Sequence, residues 1–253
     1  MNQASVGFHC PECTREGRQK VVTARSLATN PVVTFVLVAA NLAIFAGDLL
    51  SPIITVRDLA DVPFQGMHQL SAEGALFGPS VAAGDWWRPI TGGFLHVNIM
   101  HVGFNMFLLW QLGALLEPAV KRVAFSVLYV MSLLGGSFLT LVLSNDSVTV
   151  GASGAVFGLM GATFIAMRSR GINPFQTGIG PLIIINLLIT FAVPNISVGG
   201  HIGGLVAGAL GGYILWEAGP RFGPRSPVPV IACCLVAAAL FAGCLAVAQP
   251  FSV

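Results

Sequence analysis

Long apolar stretches separated by short polar segments dominate the sequence after residue 30. Seven of these stretches are long enough to cross the hydrocarbon core of a bilayer as a helix. They lie near residues 31–50, 92–116, 122–144, 151–168, 178–195, 200–217 and 228–248. The connection 51–91 is the only long one, and its tryptophans, Trp86 and Trp87, favour a membrane interface. The pattern predicts an all-α, polytopic membrane helix bundle.

The composition agrees with this prediction and argues against an ordinary soluble protein. Hydrophobic residues make up 55% of the 253 residues and charged residues only 9%, whereas a typical soluble domain carries about 25% charged residues. A net charge of +2 gives no indication of nucleic-acid binding. We therefore expect this chain to lie in a lipid bilayer and to bind no nucleic acid. Cys233, Cys234 and Cys244 lie in an apolar run and are interpreted as packing residues.

The positions of lysine and arginine predict the orientation in the membrane. Arg57 and Arg88 lie in the long connection, and the other ten of the twelve basic residues fall in the first 30 residues or after the second, fourth and sixth spans. Because basic residues concentrate on the cytoplasmic side, we expect a cytosolic N-terminus and an extracytoplasmic C-terminus, in a bacterial plasma membrane. The second, fourth and sixth spans then all begin at the outer face.

Residues 1–30 form a polar, basic segment that is expected to be a cytosolic tail. His9, Cys10 and Cys13 belong to the sequence HCPEC, which supplies two cysteines and one histidine at metal-ligand spacing. A structural zinc site needs four ligands, and no second CxxC follows. The tail is therefore either a partial zinc site or a segment with free thiols.

Two small-residue segments carry the candidate chemistry. Gly151–Gly161 reads GASGAVFGLMG and holds Ser153 near the outer end of the fourth span, while His201 lies near the outer end of the sixth. A serine hydroxyl is a weak nucleophile until a base takes its proton, and His201 is the candidate base. The nearest carboxylate, Asp146, lies in a short outer loop. The sequence therefore predicts a Ser-His dyad rather than a triad.

Glycines on both of these spans predict that they pack closely. Gly200, Gly204, Gly208 and Gly212 recur every four residues, and the fourth span has Gly154, Gly158 and Gly161. Small residues at this spacing let helix backbones approach each other in lipid. Close approach is what a hydrogen bond between Ser153 and His201 requires.

The second span is predicted to present a polar stripe to the same outer region. Its members are His96, Asn98, His101, Asn105 and Gln111. His101 and Asn105 are four residues apart and share one helix face. Together with the backbone N–H of Ser153, they are the available donors for a developing oxyanion.

These motifs, in this order, resemble those of the rhomboid family of intramembrane serine proteases. Gly151-Ala152-Ser153-Gly154 matches the family's GxSG, and the segment from His201 through Gly204 to Gly208 resembles its HxxGxxxG. His96, His101 and Asn105 match HxxxxHxxxN. Trp87-Arg88 matches the WR of the first loop, and Glu117 falls where the family has an acidic residue closing the second helix.

The resemblance covers about residues 30–217 and implies a six-helix core around a water-filled cavity that opens to the outside. It implies Ser153 as nucleophile, His201 as base, and an oxyanion site of His101, Asn105 and the Ser153 N–H. His96 would hold water or structure nearby, and Phe157 would lie beneath the catalytic histidine. Transmembrane proteins would be the substrates, cleaved near their outer boundary, and no cofactor or metal is required.

The chain is thus divided into a tail, 1–30, a six-helix core, 31–217, and a connector with a peripheral seventh helix, 218–253. The fifth span and the loop around Pro194–Val198 are candidates for a gate. Asn41, Asp48 and Asn186 are expected to form hydrogen bonds between helices or to mark span boundaries.

Two alternatives remain open. One is a catalytically silent relative that binds membrane clients, and the other is a small-solute transporter, since intramembrane polar residues also mark transport paths. The sequence predicts neither the substrate nor the oligomeric state.

Overall fold

The computed structural model describes residues 2–3, 8–9, 30–55, 62–223 and 225–250, in two compact units, Met1–Asn30 and Pro31–Val253. In the first unit, the strands Asn2–Gln3 and Phe8–His9 pair antiparallel. Cys10 and Cys13 lie outside the described residues, so the zinc hypothesis for the tail stays a prediction.

Seven long helices lie in the described part of the second unit, one at each predicted stretch. They are α1 (Val32–Leu49), α2 (Ile99–Val120), α3 (Arg122–Leu143), α4 (Ser153–Arg168), α5 (Ile179–Ala192), α6 (Val198–Gly212) and α7 (Val228–Val247). By length and composition, four stretches can cross a membrane: α1, α2 together with α3, α6 with the turns that follow it to Phe222, and α7. The helices α4 and α5 are apolar but shorter, at 16 and 14 residues. The prediction of an all-α, multi-pass membrane bundle is confirmed.

The start of α2 differs from the prediction. Residues Gly92–Phe94 form a separate 3-10 turn, and Asn98 caps α2 by accepting a hydrogen bond of 2.9 Å from the His101 N–H. His96 and Asn98 therefore precede the helix, and Gln111, on the helix, is exposed. The predicted five-residue stripe is wrong, because an extended segment and a cap occupy what the hydropathy pattern assigned to the span.

The connection before α2 is folded rather than open. Its described part contains the 3-10 turn Val62–Phe64 and the short helices Gln69–Gly74, Gly78–Ala82 and Arg88–Thr91. Arg88 is buried and organises this region: its guanidinium donates to the Ala72 and Ala75 carbonyls at 2.8 and 2.9 Å and to Asp85 at 2.8 Å. Trp87 is exposed, and its indole N–H reaches the Glu73 carbonyl at 3.3 Å.

A buried carboxylate at the end of α2 holds the start of α1. Glu117 accepts hydrogen bonds from the Val33 N–H at 2.9 Å and from the Thr34 N–H and hydroxyl at 2.8 Å each. The first N–H groups of a helix have no partner within it, and the helix dipole favours an anion there. Glu117 is thus the N-terminal cap of a neighbouring helix.

Some of the other polar and sulfur side chains named in the sequence analysis make contacts within or between helices, and others are exposed. Asp48 accepts from the Ser71 N–H and hydroxyl at 2.8 and 2.6 Å, which links α1 to Gln69–Gly74. The Asn186 amide donates at 2.8 Å to the Leu182 carbonyl of its own helix, so the interhelical prediction is wrong for that group. Cys233 and Cys244 are buried as predicted, but Cys234 is exposed, because it faces away from the bundle.

Glycines of α6 meet the backbone of α4 directly. A Cβ added to Gly204 would overlap the Gly154 carbonyl oxygen, and one on Gly208 would overlap that of Gly158. The partners advance together along both helices, so α4 and α6 run parallel. They therefore begin at the same end of the bundle, as the order of the spans predicts.

The opposite side of α6 is glycine-lined as well and packs on α3. A Cβ on Gly203 would overlap the Gly135 carbonyl oxygen, and one on Gly199 would lie 2.7 Å from the Leu139 carbonyl oxygen. Here the partner number falls as the α6 number rises, so these two helices are antiparallel. The helix that carries His201 is thus held tightly on two sides.

The contact between α4 and α6 is testable by adding one methyl group. Because that group overlaps the Gly158 carbonyl, Gly208→Ala should lower the free energy of unfolding by about 1–3 kcal/mol. Gly103→Ala on α2 is the matched control, since nothing lies within 4 Å of a Cβ there. Thermal unfolding in detergent measures both variants, and equal stability of the two would contradict the packing.

The cap on α1 gives a second stability prediction. Glu117→Ala leaves three donors without an acceptor and should destabilise the protein by about 1–3 kcal/mol. Glu73→Ala removes an exposed carboxylate whose one bond within the described residues is accepted from the Gln69 side chain, so it should change stability little. Chemical denaturation in detergent compares the two, and a neutral Glu117→Ala would show that the cap is dispensable.

Candidate active site

Ser153 is the first residue of α4, at the end that α4 shares with the start of α6. The preceding Ala152 makes no side-chain cap, and Ser153 itself is partly buried. A backbone N–H in the first turn of a helix has no acceptor within that helix. The Ser153 N–H is therefore available to an external acceptor, at the end of α4 where the dipole favours negative charge.

The turn before Ser153 is fixed by contacts to the long connection and to His96. The Gly151 N–H donates to the Gly92 carbonyl at 2.9 Å, and the Ala152 N–H donates to His96 Nε2 at 3.5 Å. Gly151 has a φ of 131°, and a Cβ there would lie 2.7 Å from the His101 ring. Both the backbone conformation and the space require glycine at this position.

His101 joins the group around Ser153. A Cβ added to Gly151 would lie 2.8 Å from His101 Nε2 and 3.7 Å from Ser153 Oγ, so both atoms face the same small space. The His96 and His101 rings meet edge to face, with centroids 5.0 Å apart. The two histidines and the GxSG turn therefore form one cluster.

Asn105 lies one turn further along α2 and is buried. Its side-chain amide donates to the His101 carbonyl at 2.9 Å, within the helix. This bond uses one of the two amide N–H groups, and an asparagine amide has a second to offer.

His201 is buried in the first turns of α6 and stacks on Phe157. The two ring centroids are 4.0 Å apart and the planes differ by 16°. Phe157 is four residues after Ser153 and thus one turn further along the same face of α4. The stack sets the plane of the imidazole relative to the helix that carries the serine.

Gly154 and Gly200, the chain neighbours of Ser153 and His201, are in contact. Within the described residues, no hydrogen bond joins the Ser153 and His201 side chains. A Cβ on Gly154 would lie 3.1 Å from the Gly200 carbonyl oxygen, and Gly204 meets Gly154. The structure thus brings the first turns of α4 and α6, which carry Ser153 and His201, against each other.

The Nδ1 atom of His201 meets a hydroxyl that the sequence did not indicate. Thr190 Oγ1, on α5, lies 2.6 Å from it. A threonine in an apolar helix ordinarily bonds back to its own backbone, and Thr190 also does this, so no sequence signal singled it out.

Several predicted residues act elsewhere. Arg88, Trp87 and Glu117 belong to the scaffold described above.

Two surface cavities, of about 620 and 280 Å³, lie beyond the far ends of α2 and α4, beside Lys121 and between Phe164 and Phe175. Neither is the water-filled cavity expected over Ser153. Within the described part of the chain, no three His, Cys, Asp or Glu side chains form a group suited to a metal ion.

The Rhomboid domain family model matches residues 83–218. The chain is 37% identical over 179 residues to the rhomboid protease GluP of Bacillus subtilis. The aligned region covers 69% of this chain and 35% of that protein.

Two further relatives come from eukaryotes. Identity is 33% over 181 residues to RHOMBOID-like protein 6, mitochondrial, of Arabidopsis thaliana, covering 67% of this chain and 58% of the relative. It is 31% over 183 residues to Rhomboid-like protease 1 of Toxoplasma gondii, covering 69% and 62%. The chain thus spans between about a third and three fifths of the length of these relatives, and the family model covers more than half of the chain. The chain belongs to the rhomboid family.

Proposed function

We propose that this protein is an intramembrane serine endopeptidase that hydrolyses peptide bonds in transmembrane substrates near their outer membrane boundary. The observation that carries the proposal is the pairing of α4 and α6, which sets Ser153 and His201 at one depth with Phe157 stacked on the imidazole. Two relatives of the chain are named proteases.

In the proposed mechanism, Ser153 Oγ attacks the carbonyl carbon of the scissile peptide while His201 takes the hydroxyl proton. The tetrahedral intermediate collapses, the C–N bond breaks, and His201 gives its proton to the leaving amine. A water molecule then attacks the acyl-enzyme, with His201 as base, and releases the carboxylic acid and the free serine. The proposal needs only these protein groups and water, and it includes no cofactor.

The developing oxyanion is proposed to bind the Ser153 N–H, His101 and Asn105. The location of the Ser153 N–H at the positive end of α4 supports its role. The His101 ring borders the same space as Ser153 Oγ. His96 supports the site by accepting the Ala152 N–H.

The distribution of basic residues supports an active site at the extracytoplasmic face of the plasma membrane, with a cytosolic N-terminus. Substrates enter beside α5 in this proposal, and the Pro194–Val198 loop moves with it. Helix α5 has Gly180 and Thr190 as its only buried residues, which suits a helix that separates from the bundle.

The two alternatives have distinct signatures. A catalytically silent client-binding relative would retain bound membrane proteins without cleaving them. A transporter would move a solute across liposomes and would keep that flux in Ser153→Ala.

The first functional test is cleavage of a model transmembrane substrate by purified protein in liposomes. Ser153→Ala and His201→Ala should each lower the cleavage rate by roughly a thousandfold or more, because the nucleophile or its base is removed. A fluorophosphonate probe should label the wild type at Ser153 and leave Ser153→Ala unlabelled.

Unfolding temperature and circular dichroism establish that both variants remain folded. Ser147→Ala, in the loop before the site, controls for loss of a serine. Undiminished cleavage by folded Ser153→Ala would rule out the proposed nucleophile. A folded wild type that neither labels nor cleaves would favour the client-binding alternative.

The oxyanion assignment predicts a loss in kcat at constant substrate affinity. His101→Ala and Asn105→Ala should each lower kcat by roughly a hundredfold, because the oxyanion donor acts on charge that develops in the transition state. Gln111→Ala is the control on the same helix, since Gln111 is polar but exposed. Should the two variants raise KM and keep kcat, their role would be substrate binding instead.

A further inference from the structure

Thr190 occupies an unusual position between two helices. It is buried to 2% exposure on α5, and its Oγ1 lies 2.6 Å from His201 Nδ1 and 2.7 Å from the Asn186 carbonyl oxygen. One hydroxyl thus contacts both the candidate base on α6 and the backbone of its own helix.

The two contacts together allow one arrangement of protons. A threonine hydroxyl has a single hydrogen, and a carbonyl oxygen can only accept. If the hydroxyl donated to Nδ1, the 2.7 Å contact with the Asn186 carbonyl would bring two oxygens together with no hydrogen between them. The hydroxyl therefore donates to the carbonyl and accepts a hydrogen bond from the Nδ1–H of His201.

This arrangement fixes the tautomer of the neutral imidazole. In neutral histidine one ring nitrogen carries the hydrogen and the other carries a lone pair, and the partner of one nitrogen decides which it is. With the hydrogen on Nδ1, the lone pair is on Nε2. Because Nδ1 is engaged with α5 and Phe157 covers a ring face, Nε2 is the ring atom left to take a proton from Ser153.

We propose that Thr190 is a positioning residue that holds His201 in the tautomer with a free Nε2 lone pair, with the Asn186 carbonyl holding Thr190 in turn. The inference rests on the proposed function, in which His201 is the base. In this site an uncharged hydroxyl and a backbone carbonyl occupy the place behind the histidine where a serine protease triad has a carboxylate.

The test compares three threonine variants in the full-length protein. Thr190→Val keeps the shape and removes the hydroxyl, whereas Thr190→Ser keeps the hydroxyl. Thr163→Val is the matched control, because Thr163 is equally buried and its hydroxyl donates at 2.7 Å to the Leu159 carbonyl four residues earlier, but no described histidine bonds to it.

We expect Thr190→Val to lower kcat by roughly three- to tenfold with little change in KM, as for the loss of one hydrogen bond to the base. Thr190→Ser should stay within about twofold of the wild type because the hydroxyl bond remains. Thr163→Val should cleave like the wild type. An unchanged kcat in folded Thr190→Val, or an equal loss in Thr163→Val, would overturn the proposal.

A second readout does not depend on proteolysis. Nitrogen NMR of protein labelled at the histidine ring nitrogens distinguishes the two neutral tautomers, and the His201 signal is the one that His201→Ala removes. We expect the hydrogen on Nδ1 in the wild type and in Thr190→Ser, and a shift toward the other tautomer in Thr190→Val.

A wild-type His201 with its hydrogen on Nε2 would refute the positioning role. Failure of the proposed function gives a different pattern. In that case Ser153→Ala would keep its activity, or the wild type would have none, while the tautomer measurement would still decide the role of Thr190.

Discussion

The direct contact between the backbones of α4 and α6 is the constraint on which the site depends. Lipid supplies no hydrophobic drive for two helices to associate, so they are held by close packing and polar contacts. Here glycine removes the side chains at Gly154, Gly158, Gly204 and Gly208. On its other side, α6 packs through further glycines against α3, so α6 is held between two helices. The proximity of Ser153 and His201 therefore depends on backbone packing at these glycines and not on a bond between the two side chains.

Buried charges in this protein serve the scaffold rather than the site. Glu117 and Asp48 each accept backbone N–H groups of a neighbouring segment, and Arg88 donates to backbone carbonyls. A charge removed from water must be paired or hydrogen bonded, and the hydrogen bonds of each of these groups join two segments of the chain. Their combined effect is to hold α1 and the long connection, whose Gly92 carbonyl then fixes the turn before Ser153.

The sequence predicted the helices well, because hydropathy and glycine spacing depend directly on the membrane and on close packing. It failed where one hydrogen bond decides. Asn98 caps the start of α2 inside a stretch that the hydropathy pattern assigns to one span, and hydropathy does not mark such a cap. Thr190 reaches His201 only through the tertiary placement of α5.

Helix α5 has two properties that act against each other under the proposed mechanism. Of its residues only Gly180 and Thr190 are buried, which suits the proposed role of admitting a substrate. Its Thr190 is also the hydrogen-bond partner that sets the tautomer of the base. Movement of α5 away from α6 breaks that bond, so an open site contains a base that is no longer oriented. Under the proposed mechanism, proton transfer from Ser153 would require α5 to return after the substrate has passed, so hydrolysis would favour substrates that leave room for the helix to close.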